Sequence, residues 1–119
     1  MSKRSIEKYI PKAMEVLKEN LEGGIFPKEY NGYISSFGAS VIQSGLKPTL
    51  ALFENKNNTD RYKIVEFIFE IFKRYNNINT EEILLINYVI NNNKDNLKKE
   101  ILDISIALKL TLRTFKKGN

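Results

Sequence analysis

Apolar residues recur every three or four positions along most of this chain, which is the spacing of an amphipathic helix. Short breaks rich in glycine, proline or asparagine separate these stretches, and no stretch alternates strictly as a half-buried strand does. The pattern therefore predicts a single all-α domain over residues 1–119, a compact bundle of about five or six helices. The predicted helices cover residues 6–21, 30–44, 48–55, 60–75, 80–91 and 95–116.

A proline and a capping-box spacing mark the starts of two of these helices. Pro11 either lies in the first turn of a helix that starts near Tyr9, or kinks a helix that starts at Ser5, and we favour the second. Before the helix at 80–91, Asn79 and Glu82 have the spacing of a capping box. The side chains expected to face inward from the second helix are Tyr30, Tyr33, Ile34, Phe37, Val41 and Ile42.

The middle of the chain predicts a helix, a glycine stop and a second helix. Gly45 follows the last periodic apolar residues, where a helix commonly ends in a left-handed residue. Pro48 falls in the first turn of the next helix, where its missing N–H costs nothing. The next helix is apolar on more than one side, as expected of a central helix. The side chains expected to pack inward here are Leu46, Leu50, Leu52 and Phe53.

The composition excludes several kinds of chemistry. The 119 residues include neither cysteine nor histidine, so the chain has no disulfide, no thiolate zinc site and no histidine base or ligand. We therefore predict that it is not an enzyme, has no catalytic residues and uses no metal or cofactor. No apolar run approaches the ~20 residues that span a bilayer, and the first residues form no apolar signal region. We expect a cytoplasmic protein.

Positive charge is concentrated towards the end of the chain. The net charge of +5 favours an acidic partner such as nucleic acid. No acidic residue follows Asp103, and the cations beyond it recur at helical spacing, so we expect one basic ridge on the last helix. Such a ridge can bind phosphates, although cations near a helix C-terminus also complement the helix dipole. The residues of the predicted ridge are Lys109, Arg113, Lys116 and Lys117.

Two further groups of cations are candidates for phosphate contact. Lys47 lies beside the start of the third predicted helix, where free backbone N–H groups can also meet a phosphate, or it is an ordinary loop lysine. Lys8 and Lys12 lie in the first helix. Because Glu7 and Glu15 are interleaved with them, a solvated face explains this group nearly as well.

Aromatic and acidic residues have simpler explanations. Tyr30, Tyr33 and Phe37 can stack on bases, but at helical spacing we expect them in the core. Paired carboxylates can bind Mg²⁺, yet here each pair lies among lysines or in the first turn of a helix, which favours solvated or capping roles. These pairs are Glu66/Glu70, Glu81/Glu82 and Glu100/Asp103.

The segment around the glycine stop resembles the small all-helical subunit of the type III-B CRISPR effector, the Cmr complex. Members of that family typically have an isoleucine, an arginine, a polar residue and Gly-Leu, followed by a Leu-Ala-Phe-like run. Gln43 stands where the family often has arginine, and Lys47 is the residue that can replace it. The matching residues here are Ile42, Ser44, Gly45, Leu46, Leu50, Ala51 and Phe53. The last helix resembles the family's at Asp103, Ala107, Leu108, Leu110 and Arg113 but lacks its tryptophan.

The resemblance implies a non-catalytic subunit of an RNA-guided complex of antiviral defence. Further copies of the chain would stack along the complex, pack against its repeat-forming backbone subunits and its large subunit, and line the groove that holds guide RNA and target RNA. Base pairing would read the target, while the protein would supply charge and shape. The residues expected to contact RNA are Lys47, Lys109, Arg113, Lys116 and Lys117, with Lys8 and Lys12 behind them.

Two other functions stay open. A helix-turn-helix DNA-binding protein would also have two helices joined at Gly45, but its second helix would need a polar face to read base edges. Leu50, Leu52 and Phe53 argue against such a face. Alternatively, the chain is an adaptor that contacts only protein partners through its apolar helix faces.

Overall fold

The structure, a computed structural model, describes residues 3–57 and 59–119. Most of these residues are helical, so the predicted all-α fold class is confirmed. Across the described ranges, no helix has both the length and the apolar character that a membrane crossing requires. The α-helices are α1 (Lys3–Glu7), α2 (Ile10–Asn20), α3 (Glu29–Ser44), α4 (Leu46–Phe53), α5 (Tyr62–Asn76), α6 (Leu85–Asn91) and α7 (Leu97–Leu112).

The core is built around α7, which packs against α3, α2 and α5. Ile101, Ile104 and Leu108 form a fully buried row along α7, at the spacing of one helix face. On α3, Phe37 is also fully buried and meets Phe53 of α4 edge to face, with ring centroids 5.4 Å apart. Each such side chain contributes about 1.5–3 kcal/mol on burial. The buried faces of α7 and α3 therefore pack together, and the contact between Phe37 and Phe53 joins α4 to α3.

The first predicted helix is in fact two helices. α1 ends at Glu7 and α2 begins at Ile10, so the single kinked helix that we favoured is wrong and a helix does start near Tyr9. Pro11 lies in the first turn of α2, where its missing N–H removes no hydrogen bond. Tyr9 is buried at the junction between the two helices.

The glycine stop between α3 and α4 forms as predicted. Gly45 has φ +95°, in the region that favours glycine, and its N–H donates to the Val41 carbonyl at 3.0 Å. α4 begins at Leu46, two residues earlier than expected, and Pro48 still lies in its first turn. Leu46 is buried, which confirms that this turn packs on the core.

Some apolar side chains predicted to face inward are exposed instead. Ile42 of α3 is 65% exposed and Leu52 of α4 is 50% exposed, although Val41 and Leu50 beside them are fully buried. Tyr33 is only half-buried, and its hydroxyl donates to Asp60 at 2.9 Å. The two helices thus present apolar residues to the surface as well as to the core.

The fifth predicted helix forms only in its second half. α6 begins at Leu85, so Asn79 and Glu82 lie outside it and do not cap it. Its cap comes from Glu54, just past the end of α4, whose carboxylate accepts the backbone N–H groups of Leu85 and Ile86 at 2.8 and 2.9 Å. Those N–H groups have no partner inside the helix, and a carboxylate there also complements the helix dipole.

The chain ends in a short strand that the sequence did not predict. α7 stops at Leu112, four residues before its expected end, and Thr114 and Phe115 continue in tight turns. Lys116–Lys117 (β2) then pairs in parallel with Ile25–Phe26 (β1), which follows a single 3₁₀ turn at Glu22–Gly24. The Gly118 N–H adds a bond to the Phe26 carbonyl at 2.7 Å, so the C-terminal segment is fixed beside the start of α3.

Candidate nucleic-acid interface

The predicted basic ridge on the last helix is wrong as a single feature. Because α7 ends at Leu112, only Lys109 lies on the helix, while Lys116 and Lys117 lie in β2 and follow a different backbone direction. Arg113 directly follows the last residue of α7. Helical spacing therefore does not place these four cations on one line.

Lys109 lies between α3 and α7 rather than on an open basic surface. Its Nζ donates to the Ser35 hydroxyl of α3. It lines a groove of about 240 Å³ whose other walls include Gly38, Ile42 and Ile106. We call this feature the α3–α7 groove; its remaining lining residues are Ile34, Leu102 and Ser105.

The three remaining cations near the end of the chain lie at the surface. Arg113, Lys116 and Lys117 are all exposed. Within the described residues, no carboxylate forms an ion pair with any of them. We call them the C-terminal cations.

Lys8 and Lys12 lie on another part of the molecule and are already engaged. The Lys8 Nζ lies 5.1 Å from the centroid of the Tyr9 ring and 5.5 Å from that of Tyr75, a cation–π arrangement. Lys12 forms an ion pair with Glu15 at 3.2 Å. The structure does not bring these two lysines into one groove with Lys47.

Lys47 is one of three lysines that meet in a single groove of about 440 Å³. It projects from the first turn of α4, where the first backbone N–H groups have no helical partner. Lys94, from the loop before α7, and Lys98, from the first turn of α7, line the same groove. Leu46 and Leu97 lie among the residues beneath them. We call this feature the lysine groove.

The three lysines of this groove are exposed. Asp95 also lines the groove, but in the described part of the chain neither it nor another carboxylate forms an ion pair with these lysines. Cations that line one concave surface and form no ion pair there attract a polyanion. Sequence reasoning found Lys47 but missed Lys94 and Lys98. Their i, i+4 spacing was readable, but their nearness to a residue about fifty positions earlier was not.

Other cations are closed off inside ion-pair networks. Arg74 donates two hydrogen bonds of 2.7 Å to the two carboxylate oxygens of Glu19 and a third of 3.1 Å to Glu70. Hydrogen bonding between Arg74 and Glu19 lowers the pKa of the Glu19 carboxyl and raises the pKa of the Arg74 guanidinium. Lys99 pairs with the buried carboxylate of Asp103 at 2.8 Å. Because these cations are already paired with carboxylates of the fold, they are poor candidates for binding an external phosphate.

Two of the three aromatic residues of α3 belong to the core, as expected, while Tyr33 is only half-buried. Phe37 is fully buried and Tyr30 is nearly so, and burial raises the pKa of the Tyr30 hydroxyl to about 12. Bases cannot stack on rings that water does not reach. Among the described residues, no group of three potential ligands lies in a position to hold a metal ion.

The comparison with protein families identifies the chain. The family model described as CRISPR-associated protein (Cas_Cmr5) matches residues 5–111. The chain belongs to the Cas_Cmr5 family. The resemblance seen around Gly45 is thereby confirmed, and the protein is a small subunit of the type III-B Cmr complex that associates with other Cmr subunits. No curated protein and no solved structure matches the chain.

The family match divides the candidate residues. Lys47, Lys94 and Lys98 fall inside the matched range, so the lysine groove belongs to the part of the chain that the Cmr5 model covers. The C-terminal cations lie beyond residue 111, in the segment that β2 ties back to β1. The groove is therefore the better candidate for a contact that serves the Cmr complex.

Proposed function

We propose that this Cmr5 chain is a non-catalytic structural subunit of a cytoplasmic antiviral Cmr complex. In that complex it lines the groove that holds guide RNA and target RNA. Its neighbours would be the repeat-forming backbone subunits, the large subunit and further copies of itself. The residues proposed to face RNA are Lys47, Lys109, Arg113, Lys116 and Lys117, with Lys8 and Lys12 behind them; the lysine groove adds Lys94 and Lys98.

The observation that supports this proposal most strongly is the lysine groove. Lys47 comes from α4, and Lys94 and Lys98 come from the start of α7 and the loop before it; all three line one groove and form no ion pair with a carboxylate in the described part of the chain. A bound phosphate backbone would neutralise these unpaired ammonium groups. The backbone N–H groups of Leu46 and Lys47, at the start of α4, can add further donors beside the Lys47 side chain.

The proposed mechanism is independent of base sequence. Lysine contacts to phosphates release condensed counterions, and they position the strand without reading its bases. Target choice would come from pairing between guide and target, and cleavage would belong to other subunits. A chain without histidine or cysteine suits this role, because its contribution is charge and shape.

The two alternatives have different support. The helix-turn-helix interpretation is weakened because the exposed side of α4 carries Ala51 and Leu52, which offer no polar group to base edges. A purely protein-binding adaptor is favoured by one observation, the exposure of Ile42, Leu52 and other large apolar residues. The following experiment separates the adaptor from the RNA-lining subunit.

The test is reconstitution of a Cmr complex around guide RNA with wild-type or variant chain. The double variant Lys109→Ala, Arg113→Ala should assemble and bind target RNA more weakly. Its log–log salt dependence should flatten by roughly 0.7 to 0.9 for each phosphate that the variant no longer neutralises. A complex that assembles normally, with affinity and salt slope unchanged in this variant and in Lys47→Ala, would support the adaptor and contradict our proposal.

A further inference from the structure

A polar pocket of about 450 Å³ lies where the junction between α1 and α2 meets the end of α5 and the first half of α7. It is separate from the lysine groove, since none of the three groove lysines lines it. We call it the tyrosine pocket; its charged and aromatic walls are Lys8, Tyr9, Tyr75, Lys99, Glu100 and Asp103.

The aromatic wall of this pocket already holds a cation of the chain itself. Tyr9 and Tyr75 pack ring against ring, with centroids 4.6 Å apart. The Lys8 Nζ lies near both rings, at 5.1 and 5.5 Å from their centroids. Lys8 is exposed and directly follows the last residue of α1. A cation–π contact at an exposed site is weak, so a better-matched cation can replace this lysine.

The acidic wall holds a second lysine and leaves part of a carboxylate unused. Asp103 is 2% exposed, and its Oδ2 accepts a hydrogen bond of 2.8 Å from the Lys99 Nζ. Its Oδ1 is buried and has no hydrogen-bond partner among the described residues. A buried acceptor without a donor is costly, and such a group calls for an explanation. The Lys99 side chain is 55% exposed, so it is free to move away.

Glu100 adds a second carboxylate whose charge is not neutralised. Its Oε2 accepts hydrogen bonds from the Tyr9 hydroxyl at 2.9 Å and from the Asn76 side-chain amide at 2.8 Å. In the described part of the chain, no lysine or arginine forms an ion pair with it. Two neutral donors therefore hold this carboxylate in the wall, and its negative charge remains available to a cation in the pocket.

We propose that the tyrosine pocket is a receptor for an arginine side chain of another subunit of the Cmr complex, which displaces Lys8 and Lys99. A guanidinium group is planar and presents paired N–H donors, so it can stack on the tyrosine rings and bridge both oxygens of Asp103. The ammonium group of Lys99 donates to one of these oxygens only. The inference goes beyond the proposed function and rests only on the association with other Cmr subunits.

RNA and metal ions fit this pocket less well than a guanidinium group. Once the two lysines have moved away, Glu100 and Asp103 give the pocket a negative charge that repels phosphates. These two carboxylates do not belong to a metal site, because the described residues contain no group of three potential ligands. The aromatic rings are also without use to a hard cation, whereas they favour a guanidinium group.

The test titrates the free subunit with N-acetyl-arginine amide, which carries one guanidinium group and no other charge. Backbone amide shifts at Tyr75 and Asp103, measured by NMR, should change and saturate. Lys99→Gln should tighten binding several-fold, because it frees the Asp103 carboxylate. Lys98→Gln is the matched control: it removes the same charge from the next position of α7 but lines the lysine groove, so the dissociation constant should stay near that of the wild type.

Two further comparisons define the chemistry of the site. N-acetyl-lysine amide should bind several-fold more weakly than the arginine compound, because its ammonium group neither stacks as a plane nor bridges two oxygens. Asp103→Asn should abolish saturation, and a thermal unfolding curve shows whether this variant is folded. The absence of saturation in Lys99→Gln, or equal tightening by Lys98→Gln and Lys99→Gln, would overturn the inference.

A second experiment tests whether another subunit supplies the arginine. In a reconstituted Cmr complex, Lys99→Gln should raise the fraction of this subunit that survives a high-salt wash, and Asp103→Asn should lower it. Equal retention of both variants and the wild type would overturn the inference, even if the pocket binds the arginine compound. Neither experiment measures binding to the lysine groove, so an unchanged salt slope for RNA would contradict the proposed function and leave these results standing.

Discussion

Two surface regions of this subunit carry clusters of charge and use them in opposite ways. On α2 and α5, Arg74 is surrounded by Glu19, Glu70 and, at 3.6 Å, Glu15, so its charge is neutralised within the fold. In the lysine groove, Lys47 and its two neighbours have no such partners among the described residues. Both clusters join residues that are distant in the sequence.

The difference teaches that net charge does not locate a binding surface. The chain carries an excess of five positive charges, but a cation such as Arg74 contributes to that sum without offering anything to a ligand. What marks a candidate interface is a group of cations that the fold gathers and leaves unpaired. We therefore expect substitutions in the ion-paired cluster around Arg74 to change stability, and substitutions in the lysine groove to change RNA affinity.

Among the charged groups that are bonded within the fold, Glu54 is expected to have the largest effect on stability. Glu54→Ala removes the acceptor of two backbone N–H groups at the start of α6, which should cost about 1 kcal/mol of folding free energy. Urea unfolding followed by circular dichroism measures the loss. Glu54→Gln, which keeps one carbonyl acceptor, is the matched control and should lose less. An Ala variant as stable as the wild type would show that this cap does not hold α6.

The pH dependence at Glu54 follows from its burial. Burial raises the pKa of the Glu54 carboxyl above its ordinary value of 4.5, and the two backbone bonds oppose this only in part. The native state therefore binds this proton more tightly than the unfolded state does. Its contribution to stability is greatest at acid pH and falls as the pH rises through the raised native pKa. Because glutamine does not titrate, this loss of stability with rising pH should be absent in Glu54→Gln.

Glu54 also shows where sequence reasoning stops. Periodicity predicted most helices because a buried face repeats along the chain, and Gly45 predicted a boundary because its conformation is local. The start of α6 is set by a carboxylate some thirty residues away. The local signal at Asn79 and Glu82 pointed to an earlier start, and the tertiary cap prevailed.

Arg74→Ala should give a smaller loss of stability, because its partners are at the surface and solvent screens the pair. The bond from Arg74 lowers the pKa of the Glu19 carboxyl, so its stabilisation is present above pH 4.5 and disappears as the pH falls through the lowered native pKa. Thermal midpoints of wild type and variant should differ at pH 7 and converge in acid. A constant difference at all pH values would contradict the ion-pair explanation.

The candidate site was predictable only in part, for a related reason. Lys47 was identified from its place beside a helix start, and the cations after Asp103 from a local run of charge. The groove itself depends on how α4 sits against the loop before α7, which is a tertiary contact. The ridge on the last helix failed because Thr114 and Phe115 turn the chain into β2.

The most direct test compares two double variants that each remove two positive charges, in a Cmr complex reconstituted on guide RNA. Lys47→Gln with Lys98→Gln removes two cations of the lysine groove, and Lys73→Gln with Arg74→Gln removes two cations that are both paired with Glu70, Lys73 at 3.3 Å and Arg74 at 3.1 Å. The measurement is target-RNA affinity against salt concentration. We predict that the groove variant flattens the log–log slope by roughly 1.5, at 0.7 to 0.9 per phosphate, and that the closed variant leaves it unchanged. Equal slopes for the two variants would contradict the claim that unpaired cations, rather than net charge, form the RNA-facing surface.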